Sequence, residues 1–134
     1  MADFLNEVAD YLALASPAPD CGTVGTDIFI GELPATPNDC IALFGLPGNY
    51  IGDQREVATL QFPRFQIICR AASYDTASQK MQNVRTKLHG IYSVDIGSWR
   101  ILRCHAEQGG GPIGSDDQNR FEFSINFISE VNAE

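Results

Sequence analysis

Cys69 and His105 are the first residues to weigh for chemistry. On neighbouring predicted strands, a thiol and an imidazole could act as nucleophile and base. Each also has a plainer role, Cys69 as a small core residue and His105 as an ordinary strand position. No nucleophile-elbow pattern occurs, and serines and aspartates are common enough that chance triads mean little. Gly109-Gly110-Gly111-Pro112 invites comparison with a phosphate-binding loop. Such a loop needs Lys and Ser/Thr directly after it, opening a helix. Here Asp116 and Asp117 follow and then a strand, and their charge would repel phosphate. Asp116, Asp117 and Asn119 lack the spaced oxygen ligands and closing Glu of a calcium loop. Cys21, Cys40, Cys69 and Cys104 form no C-x-x-C pair, and His89 and His105 show no zinc-ligand spacing with them. The cysteines are expected as reduced thiols. No catalytic residue, metal or cofactor is expected.

What remains is surface chemistry. Arg64, Gln66 and Arg70 form a polar line on one strand, either a solvated face over which long stems lie or a subunit interface, where Arg is enriched. Tyr50 and Ile51 in one loop and Ile113 in another are apolar residues on exposed-looking segments, which suits docking better than catalysis. Trp99 is expected in the core.

The elements that must position these residues centre on 62–90. Phe65, Ile67 and Cys69 alternate with Arg64, Gln66, Ile68 and Arg70, which predicts a strand, and Pro63 sits at its start. A helix then opens at Tyr74-Asp75-Thr76, with Asp75 as the expected N-cap. Ala77, Met81, Val84 and Leu88 make its apolar stripe, with Gln79, Lys80, Gln82, Asn83 and Lys87 on the polar face and Gly90 as its stop. Upstream, Phe4, Val8, Tyr11, Leu12 and Ala15 predict a helix over 3–15. Strands over 27–33 and 40–44 are expected to pair as a hairpin, followed by a loop at 46–59. Downstream come strands 91–96 and 99–106 joined at Gly97-Ser98, and then a projecting loop at 107–119. In the last strand Phe121, Phe123, Ile125 and Phe127 alternate with polar residues, and 129–134 reads as a tail. The order α-β-β-β-α-β-β-β predicts an α+β fold: one mainly antiparallel β-sheet packed against two helices, in a single domain over 1–134.

Composition is that of a globular chain, 44 % hydrophobic and 19 % charged. No apolar run approaches the roughly 20 residues of a membrane span, and the acidic N-terminus lacks a signal peptide's basic region. The net charge of −8 is lopsided: residues 1–56 hold nine acids against Arg55, while the rest balances eight against eight. That argues against gripping nucleic acid and is compatible with letting it pass.

The run Phe62-Pro63-Arg64-Phe65-Gln66-Ile67-Ile68-Cys69-Arg70, with Tyr74 and Ala77 leading into a helix that ends Leu88-His89-Gly90-Ile91, resembles the tail-terminator or minor capsid family of long-tailed bacteriophages. So do Gln108-Gly109, Pro112-Ile113-Gly114, Asp116-Asp117 and the closing Asn119-Arg120-Phe121-Glu122-Phe123-Ser124-Ile125-Asn126-Phe127, and the earlier Ile41-Ala42-Leu43-Phe44 before a Gly/Pro loop. The likeness covers most of 40–128. It implies a small subunit that assembles into a ring, typically a hexamer, on the head-proximal end of the tail tube. The ring stops tube polymerisation and gives the head its docking surface, with no covalent chemistry. Implied partners are copies of itself, the tail tube protein and head–tail connector proteins, with double-stranded DNA passing through and no membrane. The implied location is the virion tail or neck, after assembly in the host cytoplasm. On this reading loops 46–59 and 107–119, with Tyr50, Ile51, Gln66, Ile113, Asp116 and Asp117, contact neighbours, and Arg64, Arg70 and Arg120 pair with the acid-rich first half of another copy. The rivals are a connector or head-completion protein of the neck, and a small oligomeric thiol enzyme built on Cys69 and His105.

Overall fold

A computed structural model describes residues 2–46, 60–97, 99–107 and 110–133. Along the chain lie α1 (Ala2–Leu12), β1 (Ile28–Ile30), β2 (Cys40–Leu46), β3 (Leu60–Gln61), β4 (Arg64–Ala71), α2 (Tyr74–Leu88), β5 (Ile91–Ile96), β6 (Trp99–Ala106), β7 (Gly111–Ser115) and β8 (Phe121–Ala133). The fold is α+β as expected, with two short strands, β3 and β7, added to the predicted order. One sheet runs β1-β2-β4-β8-β6-β5, with β3 and β7 also paired to β8. All pairings but β1–β2 are antiparallel.

The alternation of β4 and β8 does what a period of two requires. Phe65, Ile67 and Cys69 pair in register with Phe127, Ile125 and Phe123, and all are buried on one face. Phe65 and Phe127 stack with centroids 5.4 Å apart, and Phe4 of α1 meets Phe65 and Trp99 edge-on. From α2, Ala77, Met81, Val84 and Leu88 close over the same face, and Tyr74 sits edge-on to Phe121 and Phe123. Both helices therefore cover one side of the sheet. Each fully buried large side chain contributes about 1.5–3 kcal/mol by leaving water, so this layer supplies the main driving force.

Several local expectations are corrected. The cap of α2 is Ser73, not Asp75: its Oγ accepts from Thr76 N at 3.2 Å, which leaves Asp75 in the first turn as a dipole charge. Gly90 does leave the helix with positive φ (+82°). Lys87, expected on the polar face, is 2 % exposed. Its ammonium donates to the carbonyls of Leu12 (3.3 Å) and Leu14 and lies 5.4 Å from the Tyr11 ring. It thus caps the C-terminal end of α1, where free carbonyls and the dipole favour a cation. Cys21 N also donates to Leu12 O, and α1 ends at Leu12 rather than at Ala15.

β1 and β2 do not form a hairpin but pair in parallel, Ile28 opposite Ile41. Gly31 (φ +82°) turns the chain out, and the 31–39 connection carries it back to start β2 beside the start of β1. The 107–119 segment is not a continuous loop. Glu107 N donates to Asn126 O, and β7 then continues along β8 where β6 leaves off, so the two strands together form one long arm opposite β8. Gly110 (φ +79°) makes the break, and a Cβ there would lie 2.8 Å from Met81 Sδ. A register shift between Pro112 and Gly114 disguises the rest of the alternation. Finally, the supposed tail at 129–134 is strand as far as Ala133. Ser129 occupies an inward position, where its hydroxyl and its N–H both donate to Pro63 O (2.9 and 3.0 Å).

Candidate assembly surface

Neither helix covers the other face of the sheet. There Arg64, Gln66 and Ile68 of β4 stand in register with Ile128, Asn126 and Ser124 of β8, and Gln66 and Ile68 also with Phe44 and Ala42 of β2. Arg103 and His105 of β6 lie opposite Glu130 and Ile128. The result is a mixed surface, half-buried aliphatic and aromatic side chains between amides and ions. Arg64 binds Glu107 through two parallel contacts of 3.0 and 3.1 Å, and Arg103 binds Glu130 at 3.0 Å. Arg103 and Glu130 sit opposite each other on paired strands, and Glu107 directly follows β6, so the sheet already holds both pairs close. Asn126 Oδ1 is buried there without a hydrogen-bond partner among the described residues.

Two of the arginines expected at an interface are taken up inside the chain. Arg70 points to this face yet is 2 % exposed, because the 31–39 connection folds over it. Its guanidinium donates to the carbonyls of Pro34, Pro37 (2.7 Å) and Asn38 (3.2 Å). Arg120, 6 % exposed, pairs with Asp116 at 2.7 Å and donates to Ala35 O. Both cations thus hold one proline-bearing connection, and a planar five-donor group is the side chain that can satisfy several fixed carbonyls at once. Asp116 is likewise engaged at home. Its Oδ1 accepts from Arg120 N (2.9 Å) and Gln118 N (3.0 Å), shaping the turn between β7 and β8. The Arg120 amide bond, with the Arg120 side chain and the Gln118 amide, holds its carboxyl below the usual aspartate value.

Of the other expected contact residues, Ile113 is 54 % exposed at the β7 irregularity, Asp117 is exposed at the turn, and Gln66 is half-buried. Tyr50, Ile51 and most of the 46–59 loop lie outside the described residues. The Cys69–His105 pair is not brought together. Cys69 lies in the core under the helices, where burial pushes its thiol strongly up, while His105 is exposed on the opposite face. All four cysteines are free thiols. Burial likewise raises Cys104 to about 12 and Cys21 to about 11, far from nucleophilic thiolates. Sequence reasoning missed Lys87 and the exposed Tyr92 and Tyr74, 74 % and 50 % accessible. Isolated aromatics leave no periodic signal to find.

A family model described as bacteriophage tail terminator protein matches residues 18–132. The chain belongs to the bacteriophage tail terminator family. It is a structural tail component of a phage-type virion, and the resemblance read from residues 40–128 falls inside the matched span. No curated protein matches the chain by sequence. Among solved structures, a chain from the virion of a native gene transfer agent particle superposes with TM-score 0.66 at 16 % identity, covering 95 % of this chain and 94 % of that one. A second solved chain gives TM-score 0.55 at 14 % identity, covering 99 % and 92 %. At such identities the likeness is one of fold, and it includes α1, which the family model leaves out.

Proposed function

We propose that this terminator acts as one domain in a closed ring, a hexamer, on the head-proximal end of the tail tube. The ring stops tube polymerisation and presents the surface on which the DNA-filled head docks. Its partners are further copies of itself, the tail tube protein and the connector proteins of the neck, and double-stranded DNA passes through its lumen without specific contact. It works as a scaffold and not as an enzyme, in the virion tail after assembly in the host cytoplasm. The observation that carries this reading is the family match over 18–132. It is supported by a sheet with one face left open by the helices and by a net charge of −8, which suits a wall that does not hold DNA.

The test is to add the purified protein to polymerising tail tube protein and measure tube lengths by electron microscopy. Capping should shorten the tubes in proportion to added protein and leave a ring at one end, with solution mass by light scattering giving the subunit count. Tubes of unchanged length with no end-bound density would overturn the reading.

A further inference from the structure

Ion pairing inside the chain leaves an uneven remainder. Among the described residues Arg64, Arg100, Arg103 and Arg120 meet carboxylates, and Arg70 and Lys87 meet backbone carbonyls. Arg85, like Lys80 on the same helix, meets no acceptor among the described residues, and it is exposed on α2. On α1 the carboxylates of Glu7 and Asp10 have no cationic partner among the described residues either. They rim a groove between α1 and β5 whose apolar parts are Tyr11, Leu14 and Ile96. Leu14 is 49 % exposed there. Asp95 completes the rim and is paired with Arg100 at 2.7 Å. Arg85 borders a second hollow, with Met81, Gln82, Thr86 and His89. His89 Nδ1 accepts from Ala106 N, and Arg85 is the one arginine or lysine among the residues lining that hollow.

These two surfaces cannot meet within one chain. Lys87 faces α1, and Arg85 and His89 stand two positions before and after it, about 160° away around the helix at 3.6 residues per turn. We infer that the groove between α1 and β5 of one copy receives the Arg85 hollow of a second copy, with Glu7 and Asp10 against Arg85 and Leu14 lodged over Met81. The inference rests on the ring reading above and names the contact that builds it. The two surfaces differ, so the contact is heterologous and repeats from copy to copy, as a ring requires. Exposed ion pairs add little affinity each, so the charges select partner and orientation while the apolar residues hold.

The experiment uses two full-length variants, Glu7→Lys/Asp10→Lys and Arg85→Glu, with solution mass measured by sedimentation at low salt. Unchanged circular dichroism and melting temperature confirm that each folds. Each variant alone should self-associate about tenfold more weakly than wild type, or worse, because each sets like charge against like. An equimolar mixture should assemble again, since the Lys-bearing groove of one variant accepts Glu at position 85 of the other, and the acidic groove accepts Arg85. Assembly of either variant alone at wild-type strength overturns this contact and leaves the ring reading standing. Failure of the mixture to recover also overturns it. A wild-type protein that stays monomeric with and without tail tube takes the ring reading down as well.

Discussion

The two faces of the β4–β8 ladder are made from adjacent residues of the same strands, yet they follow different rules. On the helix side Phe65, Ile67, Phe123, Ile125 and Phe127 are chosen by volume and lie within 3 % exposure. On the other side Gln66, Asn126, Ser124, Arg64 and Ile128 are half-buried, with mixed chemistry and one amide oxygen without a partner among the described residues. The first face is complete in the isolated chain. The second sets Phe44, Ile68 and Ile128 among amides and ions, and neither helix covers it. Stability resides in the first face and specificity is available to the second.

Breaking this contrast is simplest at neighbouring positions. Phe127→Ala removes a ring stacked on Phe65 and should cost about 3–5 kcal/mol in urea denaturation. Gln66→Ala on the opposite face should stay within about 0.5 kcal/mol. Equal losses at the two sites would erase the distinction between the faces.

A second comparison sets buried cations against surface ones. Lys87→Met keeps most of the aliphatic stem but strips the donor from Leu12 and Leu14 carbonyls, an expected loss of roughly 1–3 kcal/mol with faster amide exchange in α1. Removal of the exposed partner Arg103, by Arg103→Ala, should cost no more than about 1 kcal/mol. If the lysine proved as dispensable as the arginine, α1 would be held by its apolar face alone.

Cap placement gives a smaller effect. Ser73→Ala should destabilise by about 1 kcal/mol, against a few tenths for Asp75→Ala, which loses only a charge near the helix start. The reverse order in melting experiments would return the cap to Asp75.

The smallest effect is a local pH response. Asp116 has its folded-state pKa lowered, so its contribution is fully present above the ordinary aspartate range and is lost as pH falls through the lower folded value. The Gln118 and Arg120 amides that bind its carboxylate should lose protection in that acid window while the β4–β8 amides keep theirs. NMR titration of the Asp116 carboxyl should give a midpoint below that of a free aspartate, and an ordinary midpoint would break the link.

Hydrophobic period by itself determined the layer structure: the α+β class, the inward residues of β4 and β8, the stripe of α2 and the Gly90 stop. These are local consequences of burying one side of a repeating backbone, so they can be read one residue at a time. Family membership was legible in the same stretch. Tertiary structure alone decided where the cations went. Arg70, Lys87 and Arg120 look like surface residues in any window of sequence, and each is buried because a distant segment brings backbone carbonyls to it. The parallel β1–β2 pairing depends likewise on the returning 31–39 connection that two of these arginines hold. The last turns of β8 were hidden by Ser129, a polar residue made acceptable inside by Pro63 O, 66 positions away. A polar side chain's place depends on whether a partner is waiting, and partners come from anywhere in the chain.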